Sequence, residues 1–371
     1  MAEEINLNEK LQNEFVRLKQ EIQKPNILIA GATGVGKSSL INMVFGENVA
    51  IVGTGKPVTQ KIDVYESTQT DVRIFDSKGY EIGENADQEF FESVIQLAKT
   101  NNDPAKAIHL IWYCIACSNN RVTDYDLSAI NTFMNAGLSV AVVLTKADLA
   151  MDEEVASLKQ ALPDNCPIFE TSTKLEEYNQ LTDLIEWSVS QLSDALKFAF
   201  IKSQRVALEK KWELAHKYIK QHCAAAFAVG FTPIPISDAP ILVANEMALL
   251  ARVLYLYDLG NLKDTLNTMG ISSLFGSLLS AGGRAAVGAL LKLIPGVGTI
   301  VGGLINGGVG SLITGAFGEA TSRVAYNISK AQLNGIDTTE MIGNFGNLVL
   351  ELAKQYVNEN RKIDDYNNIN E

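Results

Sequence analysis

The sequence is poor in the residues that build metal clusters and disulfide frameworks. Its 371 residues include four cysteines, without framework spacing, and three histidines. This composition is typical of a protein in a reducing compartment. Cys114 and Cys117 form a C-x-x-C pair, but the pair ends an apolar run and has no second pair to complete it. The pattern therefore argues against a zinc site.

The chain also lacks a basic tract. Its formal net charge of −12 argues against a surface that wraps nucleic acid and mildly against a strongly anionic membrane partner. The first six residues, Met-Ala-Glu-Glu-Ile-Asn, contain neither a basic patch nor an apolar core. We therefore expect no signal peptide and a cytoplasmic protein.

The length of the chain predicts two domains. Residues 1–24 contain an amphipathic helix whose apolar face could pack within the chain, on a partner helix or on a membrane. Over 25–198 apolar strand-like runs alternate with helical segments. This alternation predicts an α/β domain, a doubly wound and mostly parallel sheet with ligands at the carboxyl ends of its strands. An all-α, Gly-rich helical domain is expected over 199–360 and a polar tail over 361–371.

Few helix-breaking residues occur between Tyr178 and Val229. The pattern predicts one long helix, or two joined in line, that links the two domains. The run GFTPIPISDAP at 230–240 ends this helix, because each proline disfavours a helical residue before it.

The most informative motif is GATGVGKSS at residues 31–39. It follows the apolar run 27–30 and precedes an apolar helix face, the context of the phosphate-binding pattern G-x-x-x-x-G-K-[ST]. Its glycines let the backbone approach phosphate oxygens, and the N–H groups of the helix start point at the anion. We expect Lys37 to bridge the β- and γ-phosphates of a nucleotide and Ser38 to ligate Mg²⁺. The loop residues expected to bind the nucleotide are Gly31, Thr33, Gly34, Val35, Gly36, Lys37, Ser38 and Ser39.

A second phosphate-site element follows the apolar residues 72–75. There the chain reads Asp76-Ser77-Lys78-Gly79. We expect the Asp76 carboxylate to hold Mg²⁺, usually through water, and Gly79 to give a backbone N–H to the γ-phosphate. Many strands end in Asp, so the value of this signal lies in its order after the phosphate loop.

A third motif, Thr145-Lys146-Ala147-Asp148, follows the apolar run 142–144. With it, the chain resembles the Era/TrmE-like GTPases of the P-loop superfamily, whose base-reading motif is [NT]-K-x-D. The resemblance implies that Asp148 accepts both guanine donors, N1–H and the 2-amino group, and so selects GTP over ATP. It also implies that Lys146 lies along the base and ribose, and that GTP or GDP and Mg²⁺ are the cofactors.

The segment Glu170-Thr171-Ser172-Thr173-Lys174 is similar to the E-T-S-A-K element of the same GTPases. There, a backbone N–H near Thr173 meets the guanine oxygen. The residues that the resemblance assigns to the base and ribose are Thr145, Lys146, Asp148, Ser172 and Thr173.

The resemblance further implies a threonine that ligates Mg²⁺ and senses the γ-phosphate. Thr59 is favoured because it lies directly before a predicted strand, and Thr54 is the alternative. The implied metal ligands are Ser38, Thr59 and Asp76, and the implied catalytic residues are Lys37, Thr59 and Gly79.

Three positions bear on mechanism. Tyr80 stands where many GTPases carry a water-orienting Gln, and a phenol cannot replace an amide in that role. The hypothesis is slow intrinsic hydrolysis, with the water placed by the backbone, another switch residue or a partner. Gly34 stands where TrmE-type loops carry an Asn used for K⁺, so potassium stimulation is not expected. Arg121 could reach phosphate or the opposing protomer of a dimer, or pair with a nearby carboxylate.

The segment 265–318 is almost uncharged. Its 54 residues carry only Arg284 and Lys292, and 293–318 holds nine glycines in 26 uncharged residues. One interpretation is membrane contact, since a spanning helix needs roughly 20 apolar residues. The other is the core of a soluble bundle in which glycines allow tight helix contacts. We slightly favour membrane association, peripheral or hairpin-like.

The combination of an Era-like G domain with this helical tail resembles a bacterial family of GTPases. The tail of that family has no known function and occurs also in membrane-associated proteins. The implied function is GTP hydrolysis as a molecular switch, in which loops at 47–60 and 77–90 signal to the helical domain. The alternatives are a dynamin-like or immunity-related type of GTPase, which assembles on or remodels membranes, and a binding module without hydrolysis.

The expected partners follow from these interpretations. They are GTP, a second copy of the chain through the G domain, a protein effector, and a membrane through 265–318. The protein would then lie in the cytoplasm or at the inner face of the membrane. Nucleic acid is not expected, because the chain is acidic.

Overall fold

The structure, a computed structural model, describes residues 7–46, 56–57, 62–66, 70–77, 86–99, 107–175, 179–229, 238–259 and 307–368. The chain divides into two compact units. We call Ile22–Ala207 the sheet unit, and Met1–Glu21 together with Leu208–Glu371 the helical unit.

Helix α1 (Leu7–Glu21) belongs to the helical unit, and the sheet unit follows it. The strands of the sheet unit are β1 (Asn26–Ala30), β2 (Lys56–Pro57), β3 (Ile62–Glu66), β4 (Arg73–Ser77), β5 (Leu110–Ala116), β6 (Val140–Thr145) and β7 (Ile168–Glu170). Its helices are α2 (Lys37–Phe45), α3 (Ala86–Lys99), α4 (Asp124–Asn135), α5 (Asp152–Gln160), α6 (Leu181–Gln191) and α7 (Asp194–Ser203).

The strands form one sheet in the order β2-β3-β4-β1-β5-β6-β7. The five strands from β4 to β7 in this order run parallel, whereas β3 pairs antiparallel with β2 and β4. The predicted doubly wound, mostly parallel sheet is therefore confirmed. Every residue of β1, β5 and β6 is buried, as expected for strands covered on both faces.

Alternate side chains of the central strands enter two separate cores. Ile27 and Ile29 pack on one face with residues of α2, α6 and α7. Leu28 and Ala30 pack on the other face with residues of α3, α4 and α5. Because helices cover both faces of the sheet, the ends of its strands are where loop residues can meet a ligand.

The prediction of one long linking helix, or two joined in line, over residues 178–229 was wrong. The segment forms α6, α7 and a separate helix α8 (Leu208–Val229). Gln204 stabilises the second break: its Oε1 accepts the Ala207 N–H at 2.8 Å, and its Nε2 donates to the carbonyls of Ala207 and Ile201 at 2.9 and 3.2 Å. A buried amide side chain thus ends α7 where the sequence contains neither proline nor glycine.

The helical unit contains α1, α8, α9 (Asp238–Leu256), α10 (Gly307–Leu333), α11 (Thr339–Gly343) and α12 (Phe345–Asn368). Helix α10 packs on α8, α9 and α12, and α1 packs on α9. The amphipathic N-terminal helix therefore packs within the chain. Helix α12 continues to Asn368, so the residues predicted as a polar tail are helical up to that point.

The end of the glycine-rich run lies inside the helical unit. Residues 307–318 form the first turns of α10. A Cβ on Gly318 would lie 2.8 Å from Ile219 Cγ1 and 2.9 Å from Leu249 Cδ2, so glycine is what allows α10 to approach α8 and α9. For these residues the arrangement matches a bundle core. Residues 260–306 lie outside the described residues, and none of the described helices is long and apolar enough to cross a membrane.

Candidate nucleotide-binding site

The loop between β1 and α2 has the backbone conformation that its glycines predicted. Gly31, Gly34 and Gly36 have φ angles of 133°, 78° and 103°, which favour glycine. A Cβ on Gly31 would lie 2.3 Å from the Cys114 carbonyl oxygen, so no other residue fits beside β5 there. Helix α2 begins at Lys37 directly after the loop, and the first N–H groups of a helix have no acceptor within it.

The side chains at the start of α2 fit a phosphate and a magnesium ion. Lys37 is 8% exposed, and its Nζ donates to the carbonyls of Gly31 and Ala32 at 2.8 and 3.1 Å. Its positive charge therefore lies over the loop. The adjacent Ser38 is exposed, as are Thr33 and Ser39. A lysine ammonium and the N–H groups at a helix start suit a phosphate. An accessible hydroxyl oxygen suits Mg²⁺.

The third motif is hydrogen-bonded directly to the phosphate loop. Thr145 is buried at the end of β6, and its Oγ1 donates to the carbonyl of Val35 and, at 3.4 Å, of Ile115. Lys146 has a left-handed φ of 54°, and its Nζ donates to the Gly34 carbonyl at 2.7 Å. These hydrogen bonds link the carboxyl end of β6 to β5 and to the loop that follows β1.

The Asp148 carboxylate is positioned by Ser172. The Ser172 Oγ donates to Asp148 Oδ1 at 2.7 Å and accepts the N–H groups of Lys174 and Leu175 at 3.0 and 3.1 Å. Ser172 was expected to contact the nucleotide, and in the structure its side chain is hydrogen-bonded to the Asp148 carboxylate. Thr173 is exposed in the same turn.

Cys117 lies beside this site, a position that was not predicted from the sequence. The 3₁₀ turn Cys117–Asn119 lies against the 3₁₀ turn Ala147–Leu149, which carries Asp148. Burial, with the charges of Glu170 and Asp148, raises the pKa of the Cys117 thiol to about 11. A neutral buried thiol packs as a small apolar group and is a poor nucleophile or metal ligand. Cys117 directly follows the apolar run that forms β5, and this position could have indicated from the sequence that it lies near the site.

The loop after β5 is anchored by Asp126. The Tyr113 hydroxyl donates to Asp126 Oδ1 at 2.8 Å, and the Thr123 N–H donates to Oδ2 at 2.9 Å. Arg121, in the same loop, is exposed and forms no ion pair with any residue of the described ranges. Pairing with a nearby carboxylate, one of its two interpretations, is therefore not seen in the described part of the chain.

Several predicted site residues lie outside the described residues. These are Thr59, its alternative Thr54, Gly79 and Tyr80. Asp76 lies in β4 opposite Ile29 of β1, so its backbone is beside the strand that enters the phosphate loop. The order of the strands thus brings the segment that carries Asp76 to the edge of the sheet where Lys37 and Asp148 lie.

Known proteins resemble the sheet unit. Residues 26–146 match the family described as 50S ribosome-binding GTPase. The chain is 30% identical over 140 residues to the probable GTP-binding protein EngB of Aquifex aeolicus, a match that covers 37% of this chain and 74% of that protein. It is 29% identical over 151 residues to GTPase Der of Vibrio atlanticus, a match that covers 40% of this chain and 29% of Der.

A solved structure gives the same kind of match. The crystal structure of a probable GTP-binding protein engB superposes with a TM-score of 0.34 and 18% identity, over 45% of this chain and 97% of that chain. The family match contains the phosphate loop and ends at Lys146, within the third motif. The chain spans less than a third of the length of Der.

Proposed function

The chain belongs to the P-loop GTPases, and from this membership we propose that it binds GTP and hydrolyses it to GDP and phosphate as a molecular switch. The observation that carries the proposal is the hydrogen bonding between two loops. Thr145 and Lys146 bind the carbonyls of Val35 and Gly34. A base contact at Asp148 and a phosphate contact at Lys37 therefore belong to a single site.

Guanine selection follows from the chemistry of Asp148. A carboxylate accepts two N–H groups at once, and guanine offers two on one edge, whereas adenine does not. Ser172 holds the carboxylate by Oδ1, so its orientation is set before a base arrives. Two charge-assisted hydrogen bonds of this kind account for a preference of about 100-fold or more.

Asp148→Asn tests the proposed base contact. The variant should bind GTP about 100-fold more weakly, and it should gain affinity for xanthosine triphosphate, whose C2 carbonyl accepts from the new amide. Titration with fluorescent nucleotides measures both constants. The matched control is Asp152→Asn, which changes an exposed residue of α5. Unchanged GTP binding by the Asp148 variant would rule out this role.

The proposed catalytic residues act on the phosphates. A bound Mg²⁺ would neutralise charge on the β- and γ-phosphate oxygens. Ser38 with Asp76 and Thr59 are the residues proposed to hold it, and Lys37 places a positive charge at the centre of the loop. Lys37→Ala should lower the single-turnover hydrolysis rate by about 10²–10³-fold.

We also propose that intrinsic hydrolysis is slow, because Tyr80 occupies the position of the water-orienting Gln. Under this proposal the phenol takes no part in the reaction. Tyr80→Phe should then change the single-turnover rate far less than Lys37→Ala does. A loss as large as that of the lysine variant would show that the hydroxyl takes part.

A membrane-assembling GTPase is the second candidate. It is supported by the packing of α1 on α9 in the helical unit, because helices from both ends of the chain join in one unit, as that type requires. The uncharged residues of 265–306, which lie outside the described residues, would then supply the membrane contact. Size-exclusion chromatography with GTP analogues tests this proposal, together with sedimentation with lipid vesicles. A monomer that leaves vesicles unbound in every nucleotide state would contradict it.

A further inference from the structure

A buried ion pair fixes the turn end of the β3–β4 hairpin. Asp71, 5% exposed, lies just before β4, and its Oδ2 is 3.1 Å from Nζ of Lys202, the penultimate residue of α7. The Lys202 side chain is 3% exposed. The Asp71 N–H also donates to Ser203 Oγ at 2.8 Å, and Lys24 Nζ lies 3.9 Å from Asp71 Oδ1. Breaking a buried ion pair of this kind is costly, so the contact holds Asp71 against the end of α7.

The other end of this hairpin leads to the proposed switch loops. The antiparallel register pairs Ile62 with Ser77 and Glu66 with Arg73. The chain therefore enters β3 at Ile62 and leaves β4 at Ser77 at the end of the hairpin opposite Asp71. Any displacement of the two strands along their length must move Asp71 against α7.

Helix α2 ends on the same region. It begins at Lys37 in the phosphate loop, and the carbonyl of Val44 in its last turn accepts the Arg205 N–H at 2.9 Å. Gly46 follows the helix with φ 105°, and a Cβ there would lie 2.5 Å from Arg205 Cζ. The Arg205 guanidinium is thus packed on the residue where α2 stops and the first switch segment starts.

We propose that residues 202–207 form the element that couples the nucleotide state of the sheet unit to the helical unit. This inference rests on the proposed switch function. Two elements that reach the nucleotide site, α2 and the β3–β4 hairpin, both bind this segment at their far ends. Gln204 closes the segment into a hydrogen-bonded turn, and the chain enters α8 at Leu208 directly after it. A shift of α2 or of the hairpin is therefore passed to the start of α8.

Hydrogen–deuterium exchange of the full-length protein tests the coupling. Amide protection in α8 and α10 is compared between the GDP-bound protein and the protein bound to a non-hydrolysable GTP analogue. The test variant is Lys202→Met, which removes the ammonium that pairs with Asp71. The matched control is Lys197→Met on the same helix, where the lysine forms an exposed pair with Asp194. Nucleotide affinity is measured for every variant.

The expected result is a nucleotide-dependent difference in wild type and in the Lys197 variant, and its loss in the Lys202 variant at unchanged nucleotide affinity. If the Lys202 variant does not fold, the same exchange measurement on Arg205→Ala tests the coupling. It removes an exposed guanidinium from Gly46 but keeps the backbone bond to Val44, and it should reduce the difference.

Two results would overturn the inference in distinguishable ways. If the folded Lys202 variant keeps the nucleotide-dependent difference in amide protection, residues 202–207 do not couple the two units. The same result with Arg205→Ala has this meaning if the Lys202 variant does not fold. In both cases the switch proposal is unaffected. A wild-type protein that binds and hydrolyses GTP without any change in α8 or α10 excludes signalling to the helical unit, and the route with it.

Discussion

The candidate site of the sheet unit and the core of the helical unit use buried polar groups differently. At the strand ends of the sheet unit, Thr145 and Ser172 bind backbone or carboxylate groups of neighbouring loops. In the helical unit such groups lie along helix faces: Thr314 donates to the Glu246 carboxylate, and the hydroxyls of Tyr257 and Ser322 are 3.4 Å apart. Polar groups at strand ends can meet a ligand, whereas those between helices adjust the packing of the unit itself.

Glycine shows the same contrast. In the phosphate loop Gly31 is required for its left-handed φ and for its contact with the backbone of β5. In α10 Gly318 has an ordinary helical backbone, and it is required only for the space between Ile219 and Leu249. One unit uses glycine for conformation and the other for close approach of helices, so substitutions in the two units should have different costs.

The largest effect is expected for Gly31→Ala. The new Cβ would lie 2.3 Å from the Cys114 carbonyl oxygen at φ 133°. We expect nucleotide binding to be lost and the free energy of unfolding to fall by about 3 kcal/mol. Gly34→Ala is the control, because φ is 78° but nothing lies within 4 Å, and its cost should be about 1 kcal/mol. Urea denaturation of both variants measures this difference, and equal losses would contradict it.

A pH effect comes next, from Glu246 in the helical unit. Burial of its carboxyl raises the pKa from 4.5 to about 7, although the Thr314 hydroxyl partly opposes this. The folded state keeps the proton up to that pH, whereas the unfolded chain releases it above 4.5. This stabilisation is therefore complete in acid, and it falls as the pH rises toward 7, by up to about 1.4 kcal/mol for each pH unit.

Glu246→Gln should remove this pH dependence and make the protein more stable than wild type above pH 7. Urea unfolding followed by circular dichroism at several pH values measures the slope. Glu213→Gln on α8 is the control, since its side chain is 63% exposed. A slope that Glu246→Gln leaves unchanged would show that this carboxyl does not titrate in the range.

A smaller loss is expected for Gly318→Ala. The added methyl group must displace Ile219 Cγ1 and Leu249 Cδ2, at 2.8 and 2.9 Å. Overpacking outweighs the better helix propensity of alanine, so the free energy of unfolding should fall by about 1–2 kcal/mol. Gly343→Ala, which has nothing within 4 Å, should not destabilise the protein. Thermal unfolding of the two variants compares them directly.

The smallest effect is expected for Ser172→Ala, which frees the Asp148 carboxylate. The loss of the hydrogen bond to Asp148 should weaken GTP binding by about five- to tenfold. The N–H groups of Lys174 and Leu175 lose the same acceptor, so the free energy of unfolding should also fall by about 1 kcal/mol. Ser157→Ala is the control, because that hydroxyl is exposed and donates to the Glu153 carbonyl of its own helix. A Ser172 variant that binds GTP like wild type would show that Asp148 needs no support.

The predictions from sequence succeeded where the signal is local. The strand–loop–helix at residues 26–45 and the strand before Asp148 have the expected structure, because buried strands and left-handed glycines are encoded by neighbouring residues. The long linking helix failed for the opposite reason. Gln204 ends α7 through side-chain hydrogen bonds to Ile201 and Ala207. No proline or glycine in the sequence predicts that turn.

The order of the motifs, the position of Lys37 at the start of α2 and the family membership can all be read from the amino-acid sequence. Which residues support these motifs is seen in the folded protein alone. Thr145 binds Val35 across 110 residues, Ser172 binds Asp148 across 24, and Ser203 accepts the Asp71 N–H across 132. Local sequence patterns indicate the conformation and burial of a segment, but they do not indicate which distant residue hydrogen-bonds to its buried polar groups. That choice depends on the packing of the sheet and its helices.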